Sequence, residues 1–453
     1  MTRQVQRIRM PQWVDPAVVY GALAAGHSRA IWLDAGPQAD SGLSYISIPT
    51  DKELRENVSA GDVTIFERLR SSLEHDSAVD TSAVREGGFS LGWVGWLGYE
   101  LAAHTTGVPT ADATTPDALF VYVDWALEFD HQLATLDLLV LGDVDALHRR
   151  QEEIEHLLTG TAVPEQQAPA PAHSASVSWR HSAEHYQVLV QRCLDAITAG
   201  DAYQLCLTNE VQVAGHFDPL EVYLRLRDAN PSHHGGLIVV DELALLSSSP
   251  EIFLTVNADG HLTTKPIKGT RKRGDDQVQD VALAEELLAS DKERAENLMI
   301  VDLMRNDVGK VAQLGTVRVD SLLEVETYEH VHQLVSTVSA ELAHGLSAVD
   351  ALEACFPAGS MTGAPKFSAM TILNGLEQGP RGIYSGAFGY LGIDGSANLA
   401  MVIRSIVLTP AGASIGTGGG ITSGSVPRAE LEETWVKVAP LLRALGVAPS
   451  EYS

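Results

Sequence analysis

The spacing of hydrophobic positions changes several times along the chain, and each spacing predicts a type of element. Apolar residues recur at helical intervals over residues 181–199, and Gly200 then provides the glycine that often ends a helix. Segments with strand-like patterns predict strands, and they read AYQLCLTNEVQVAG, LALLSSSPEIFLTVN and HLTTKPIKGT. The chain therefore combines helices and strands throughout its second half.

Two further segments predict helices that carry acidic residues. Residues 290–310 begin with Ser290 and Glu293 at the spacing of a capping box, and the middle of the segment reads LMIVDLM, so we expect a buried helix. Residues 421–442 have two faces. The apolar stripe contains Leu431, Trp435, Val438 and Leu442, and the other face contains Glu430, Glu433 and Lys437.

One composition change divides the chain. Residues 159–178 are rich in Ala, Pro, Gln and Ser and have no hydrophobic period, so we expect a linker or a surface crossing there. It separates an N-terminal region, 1–158, from a second region, 179–446, in which we expect the chemistry. A length of 453 residues allows two or three domains or one large unit. We also consider that both regions contribute strands to one body.

Charge and cysteine content limit the partners and the compartment. The chain has 59 acidic and 31 basic residues, a net charge of −28, which disfavours nucleic acid and anionic membranes as partners. The three cysteines form no CxxC pair, which argues against a disulfide framework and a thiolate zinc site. No apolar run approaches the ~18 residues of a membrane span, so we expect a cytoplasmic protein.

Residues 265–274 are basic in this acidic chain. They read KPIKGTRKRG, so an anionic small molecule would be attracted there. Crowding by like charges favours the neutral amine, which would make Lys268 a nucleophile or base. The alternative is a solvated basic turn.

The acidic helices offer a metal site. Glu293 and Glu296 lie three residues apart on the first helix, and Glu430 and Glu433 lie three apart on the second. If the two acidic faces meet, they would hold Mg²⁺, which prefers a few carboxylates together with water and substrate oxygens. The alternatives are an internal ion pair for Glu296 and a solvated face for the second helix.

A glycine run over residues 414–425, SIGTGGGITSGS, offers backbone amides near the start of the second acidic helix. Such amides can bind a carboxylate, although a plain turn explains the glycines equally well. His332 and Arg404 are further candidates, but an isolated His or Arg among β-branched residues is more often structural.

Taken together, these motifs resemble the chorismate-utilising enzymes, which include aminodeoxychorismate, anthranilate, isochorismate and salicylate synthases. The resemblance rests on long strings: SSSPEIF, KPIKGTR, KERAENLMIVDLMRNDVG, HVHQLVSTVSAEL, FPAGSMTGAPK, RGIYSGAFGYLG and ELEETWVK. The N-terminal region matches more loosely, through GWVGWLGYE. The resemblance implies an α+β fold in which two large antiparallel β-sheets form a sandwich with surrounding helices.

The resemblance also implies roles for individual residues. Glu296 and Glu433 match the family's Mg²⁺ ligands, with Glu293 and Glu430 nearby. Glu251 matches the general acid that protonates the departing C4 hydroxyl, and His332 matches an active-site histidine near that group. The matching chorismate-binding positions are Gly269, Thr270, Arg271, Thr362, Tyr384, Arg404, Gly418, Gly419 and Gly420.

Two positions separate the members of the family. Isochorismate and salicylate synthases have a water-activating Lys where this chain has Gln204, so water is not the expected nucleophile. Anthranilate synthases usually read PIAGT, whereas aminodeoxychorismate synthases read PIKGT, as here. The resemblance therefore implies amination of chorismate at C4 through a covalent bond to Lys268, a step towards p-aminobenzoate and folate.

No segment resembles a glutaminase, so we expect ammonia from a glutaminase partner subunit. The alternatives are an anthranilate synthase component I, an aminodeoxyisochorismate synthase and, from another class, a non-catalytic regulator that binds chorismate or an amino acid. A sensor needs no general acid, so the regulator is disfavoured by the joint retention of Glu251, Lys268, Glu296, His332 and Glu433.

Overall fold

The computed structural model describes residues 3–58, 64–159, 176–328 and 331–448. In these ranges the strands are β1 Gln4–Arg9, β2 Arg29–Asp34, β3 Leu43–Ser47, β4 Glu53–Glu56, β5 Gly92–Leu97, β6 Ala118–Val123, β7 Trp125–Asp130, β8 Thr135–Gly142, β9 Val177–Trp179, β10 Gln204–Val213, β11 His234–Val240, β12 Leu243–Ser249, β13 Ile252–Val256, β14 His261–Thr264, β15 Ile267–Lys272, β16 Arg318–Thr327, β17 Val331–Glu341, β18 Gly363–Ala364, β19 Ala387–Gly392, β20 Ala397–Met401, β21 Ser405–Thr409 and β22 Gly412–Ile421. The helices are α1 Pro16–Ala24, α2 Ile65–Asp76, α3 Ala102–Thr106, α4 Val144–Leu158, α5 Ala183–Ala199, α6 Pro219–Ala229, α7 Gln277–Ala289, α8 Asp291–Gly309, α9 Ala348–Cys355, α10 Lys366–Glu377 and α11 Pro427–Ala444.

The strands form two large antiparallel sheets. The 12-stranded sheet has the order β1-β8-β7-β3-β2-β11-β12-β21-β22-β10-β18, with β9 paired to β10. The 10-stranded sheet has the order β15-β17-β14-β13-β20-β19-β5-β6-β4, with β16 paired to β17. The expected α+β class with two antiparallel sheets is confirmed.

Apolar side chains from both sheets share one core. Ile31 and Leu245 of the larger sheet pack in the same buried cluster as Trp93, Phe120 and Phe388 of the smaller sheet. A second cluster lies between the larger sheet and helices α1, α4, α6 and α11. The larger sheet is therefore covered by the smaller sheet on one face and by helices on the other, which is the expected sandwich.

Strands from before and after the composition change pair directly. β2 pairs with β11 in the larger sheet, and β5 pairs with β19 in the smaller sheet. The expectation that both regions contribute strands to one body is confirmed. The division into 1–158 and 179–446 stays a prediction, and most of the 159–178 segment lies outside the described residues.

The predicted helices form, with two corrections. The second acidic helix, α11, begins at Pro427 rather than at residue 421, because the chain up to Ile421 belongs to β22. Helix α5 ends at Gly200, whose φ of 85° is in the left-handed region that glycine adopts easily. Ser290 caps α8 by accepting the Glu293 amide hydrogen. The expectation that α8 is buried on every side is wrong, because Leu298 is 43% exposed. The covered part of α8 packs against β15, β17 and α9.

Two segments expected as single strands are each divided in two. Pro250 and Glu251 separate β12 from β13, and Pro266 lies between β14 and β15. Proline provides no amide hydrogen for the sheet, which explains both interruptions. The turns considered as alternatives for the basic segment and the glycine run are not found, because the two segments lie largely within strands β15 and β22. No helix in the described ranges has the length and apolar character needed to cross a bilayer.

Candidate active site

A cavity of about 480 Å³ lies between the end strands of the two sheets. β10 and β22 of the larger sheet and β15 and β17 of the smaller sheet contribute to its lining, together with residues of α8 and α11. Most of the predicted site residues line it: Glu251, Lys268, Gly269, Thr270, Arg271, Glu293, Glu296, Tyr384, Arg404, Gly418, Gly419, Gly420 and Glu433. Segments as far apart in sequence as Cys206 and Glu433 thus meet in one site.

Glu251 lies where β12 ends and β13 begins. Burial raises its pKa to about 7, although Lys268, the Ser360 hydroxyl and the Ile267 amide each act to lower the pKa. A carboxyl group with such a pKa can carry a proton near neutrality and donate it. The position and protonation of Glu251 therefore suit a general acid.

Lys268 faces carboxylates rather than the neighbouring cations of its own segment. Burial acts to lower its pKa, but Glu296, Cys206, Glu251 and Glu433 raise it, and the net direction is upward. The expectation that crowding by basic neighbours favours the neutral amine is therefore wrong for this structure. The other basic residues of the segment have acidic partners of their own: Lys265 pairs with Glu326, Arg271 with Glu286 and Arg273 with Asp280.

The four predicted carboxylates come from two helices that meet across the cavity. Glu293 and Glu296 lie on α8, and Glu430 and Glu433 lie on α11. Burial raises the pKa of Glu296 more than the nearby lysines lower it. The pKa of Glu433 is lowered, because Lys437 outweighs the effect of burial.

These residues fit a divalent cation. Glu296 Oε1 is buried and has no hydrogen-bond partner, and the ammonium of Lys292 is 3.9 Å away. A buried carboxylate oxygen in that state favours a further cation. In the described part of the chain no three His, Cys, Asp or Glu side chains enclose a metal by themselves. Mg²⁺ needs only one or two carboxylates when water and substrate complete its shell, so the two observations agree.

The turn of the KGT motif requires glycine. Gly269 has a φ of 79°, and a Cβ there would lie 2.7 Å from Leu287 Cδ1. Arg271 is already paired: its guanidinium donates to Glu286 at 2.8 and 3.0 Å and lies 3.7 Å from Glu293. Substrate would have to compete with Glu286 for this arginine.

Arg404 differs from Arg271. Its backbone has a φ of 52°, which is uncommon for a residue with a side chain, and burial lowers its pKa. Its side chain forms no ion pair with the described residues. An unpaired guanidinium in a cavity favours an anionic ligand.

Tyr384 and the glycine strand form one wall of the cavity. A Cβ on Gly416 would lie 2.0 Å from the Tyr384 ring, so glycine is needed for the ring to pack on the strand. Residues 416–421 of β22 pair with β10 on one side, whereas pairing with β21 ends at Ser414. The unpaired edge of this strand offers backbone groups to a ligand.

His332 and Thr362 are not among the lining residues. His332 pairs with Arg271 across the strands, and its ring nitrogens contact Asp280 and Thr327, each at 2.9 Å. The Thr362 hydroxyl donates to the Gly359 carbonyl at 3.2 Å. The structure therefore brings most of the predicted residues together, whereas His332, Thr362 and Glu430 do not line the cavity.

Ser360 and Lys292 were not singled out from the sequence, and the surroundings of Gln204 become clear only in three dimensions. Ser360 interacts with Glu251, and Lys292 lies between two carboxylates. Gln204 is fully buried, and neither polar atom of its amide has a hydrogen-bond partner; a Cβ on Gly420 would lie 2.6 Å from Gln204 Nε2. Lys292 precedes Glu296 by four residues, so the sequence could have predicted that the two side chains are neighbours on one helix.

Known proteins resemble this chain over nearly its whole length. The model of the chorismate binding enzyme family matches residues 28–443. An aminodeoxychorismate synthase of Streptomyces pristinaespiralis is 39% identical, covering 96% of this chain and 64% of that protein. An anthranilate synthase component 1 of Thermus thermophilus is 40% identical, covering 85% of this chain and 82% of that protein.

A solved structure shows the same fold. Anthranilate synthase component I from Streptococcus pneumoniae superposes with a TM-score of 0.76 at 26% identity, covering 96% of this chain and 99% of that one. The chain spans less than two thirds of the aminodeoxychorismate synthases of Streptomyces that it matches, 64% of their length.

Proposed function

The chain belongs to the family of chorismate binding enzymes, and from this premise we propose that it is an aminodeoxychorismate synthase component I. It would aminate chorismate at C4 with ammonia to form 4-amino-4-deoxychorismate, a precursor of p-aminobenzoate and folate. The observation that carries the proposal is the meeting of Lys268 and the protonatable Glu251 in one cavity, close enough for each to shift the pKa of the other.

Substrate carboxylates would bind to cations and backbone groups of the cavity. Arg404 is free of ion pairs with described residues and faces Tyr384 and the edge of β22. Chorismate is a dianion, so its binding would supply the missing counter-charge for Arg404. This arrangement offsets locally the net charge of −28 that the whole chain carries.

Two displacements would follow at the bound ring. The neutral amine of Lys268 attacks C2, the ring double bond shifts, and the C4 hydroxyl leaves as water with the proton of Glu251. Ammonia then adds to C4, the double bond returns, the bond from C2 to Lys268 breaks, and the Glu251 carboxylate accepts the surplus proton. Dividing one substitution into two steps lowers the barrier of each.

Glu296 and Glu433 would hold Mg²⁺. When bound, the ion would bind the ring carboxylate and would offset the negative charge that raises the pKa of Lys268. Glu293 and Glu430 would support these two residues from the next turn of each helix. Ammonia would come from a glutaminase partner. Gln204 has no basic nitrogen that can activate water, which favours ammonia over water as the nucleophile.

An anthranilate synthase component I is the second candidate, because such a relative is 40% identical. The test is product analysis after incubation of purified protein with chorismate, Mg²⁺ and ammonium at alkaline pH. We expect a product that yields p-aminobenzoate only after an aminodeoxychorismate lyase is added. Anthranilate without lyase would support the second candidate, a C2-aminated product would indicate an aminodeoxyisochorismate synthase, and no turnover would favour a regulator.

Lys268→Ala tests the covalent step. We expect loss of about 99% of C4 amination, the size of effect that nucleophilic groups commonly contribute. Lys265→Ala is the matched control, because Lys265 lies three residues earlier and pairs with Glu326 at 2.9 Å outside the cavity lining. Wild-type rates in Lys268→Ala would refute covalent catalysis.

A further inference from the structure

Lys292 occupies the place between the two acidic helices. Its ammonium lies 3.4 Å from Glu430 Oε1 and 3.9 Å from Glu296 Oε1, so one cation of α8 links both helices. The Glu296 and Glu430 side chains are only 8% and 4% exposed, whereas the Lys292 side chain is 46% exposed. Two buried carboxylates thus share a cation that retains access to solvent.

The other lysine near this site is held differently. Lys437 lies 2.7 Å from Glu433 Oε1 and also donates to the Gly418 carbonyl at 2.6 Å. On a helix, an acidic residue that precedes a lysine by four positions is the favourable order, and Glu433 precedes Lys437 in this way. Lys292 instead precedes Glu296, the less favourable order, and its contacts are longer.

We propose that Lys292 is a resident counter-cation of the carboxylate site, which a divalent cation displaces on binding. In the metal-free protein its ammonium keeps Glu296 and Glu430 from facing each other uncompensated. When a divalent ion enters, the flexible and half-exposed side chain swings into solvent, where its charge is hydrated. Lys292 therefore sets how tightly the site binds metal and prevents strong binding before substrate arrives.

This inference rests on the metal assignment of the proposed function, but its test measures binding in the absence of chorismate. Purified full-length protein is stripped with EDTA, dialysed and titrated with Mn²⁺, and free Mn²⁺ is measured by electron paramagnetic resonance. For Lys292→Met we expect a Kd for Mn²⁺ about 5–10-fold below that of the wild type, because a competing charge a few Å away has been removed.

Arg305→Met is the matched control. Arg305 is on the same helix and pairs with Asp302 at 3.2 Å on the surface, so its loss changes the net charge equally without touching the cavity. We expect its Kd within twofold of the wild type. Lys292→Arg keeps the charge and should also stay within about twofold, so a Lys292→Arg protein that binds Mn²⁺ as tightly as Lys292→Met would overturn the proposal.

Thermal unfolding separates a counter-cation from a merely structural lysine. In EDTA, Lys292→Met should unfold about 1–3 °C below Arg305→Met, and saturating Mn²⁺ should remove that difference. A deficit that persists with Mn²⁺, or an unchanged or higher Kd in Lys292→Met, would overturn the proposal. If neither the wild type nor Lys292→Met bound Mn²⁺, the counter-cation proposal would also be overturned. The product assay with chorismate would still test C4 amination independently.

Discussion

Helices α8 and α11 each carry two glutamates, three residues apart, in or beside the same cavity, but their charges are compensated differently. On α8 the inner carboxylate, Glu296, is buried with one oxygen lacking a hydrogen-bond partner, and burial raises its pKa. On α11 the carboxylate at the cavity, Glu433, is 47% exposed and pairs closely with Lys437, which lowers its pKa. One helix thus presents an under-compensated charge and the other a compensated one.

If the proposed metal site is right, the difference would prepare it for a cation. Burying a carboxylate without a close partner lowers the stability of the fold. A protein can retain such a group where a bound ligand later compensates its charge. Glu433 anchors the other side at little cost, because its lysine is in place from the start. We therefore expect Glu296 to contribute most of the gain on metal binding.

The largest expected effect in this comparison of α8 and α11 is a loss of turnover. Glu296→Gln and Glu433→Gln should each lower kcat/KM for chorismate by about 10²–10³ at saturating Mg²⁺, because each removes one carboxylate from the proposed metal pair. Glu432→Gln is the control on α11, since Glu432 pairs with Arg428 on the surface. Turnover near the wild-type level in Glu433→Gln, with unchanged metal dependence, would show that α11 provides no ligand.

The pH profile extends the comparison to Glu251, whose pKa burial raises to about 7. The proposed reaction needs Lys268 neutral and Glu251 protonated, one proton shared by the pair. Lys268 keeps its proton in this range because its pKa is raised, so below about pH 7 Glu251 takes up the second proton of the pair. We therefore expect kcat/KM at constant free ammonia to fall about tenfold per pH unit below that pH, and to be level above it up to the pH at which Lys268 loses its proton.

Ser360→Ala provides the check on that assignment. The Ser360 hydroxyl lowers the pKa of Glu251. Removal of this hydroxyl should therefore move the acidic limb, the part of the profile where kcat/KM falls with falling pH, to higher pH. A limb that stays in place in Ser360→Ala would mean that another group titrates there.

Without metal, removing the charge of Glu296 on α8 and that of Glu433 on α11 should shift the melting temperature in opposite directions. Glu296 has a raised pKa in the folded state, so its ionisation costs stability as the pH rises above its ordinary 4.5. Glu433 has a lowered pKa and contributes stability above its ordinary 4.5, which is lost as the pH falls. In EDTA at pH 8, Glu296→Gln should raise Tm and Glu433→Gln should lower it, each by about 1–2 °C. Shifts of the same sign in calorimetry would contradict the comparison.

The smallest expected effect is a change in the KM for chorismate, caused by the Glu286–Arg271 pair at the rim of the cavity. Glu286 is 57% exposed and holds Arg271, so Glu286→Gln should free the guanidinium and lower the KM for chorismate about two- to threefold with kcat unchanged. Glu285→Gln removes the same charge from the adjacent position and should leave KM unchanged. A higher KM in Glu286→Gln would mean that Glu286 positions Arg271 for substrate rather than competing for it.

Local elements were predictable where a short-range interaction decides them. Gly200 ends α5, and Ser290 caps α8, because both effects depend on residues within one helical turn. The two large antiparallel sheets followed from the family resemblance, whereas the breaks at Pro250 and Pro266 were missed. The plain turn considered for the glycine run is also wrong: the run forms part of β22 because it pairs with β10, where Leu205 lies opposite Ile421.

The sequence by itself determined which residue types the site contains: two pairs of glutamates at helical spacing, a lysine within a basic strand, and an arginine among apolar residues. Only the tertiary structure decided the charge state of each group. Lys268 faces Glu296, Glu251 and Glu433 rather than its own basic neighbours, so its pKa is raised where the sequence suggested the opposite. Coulomb interactions and burial depend on distance in space, and a pattern along the chain does not contain that distance.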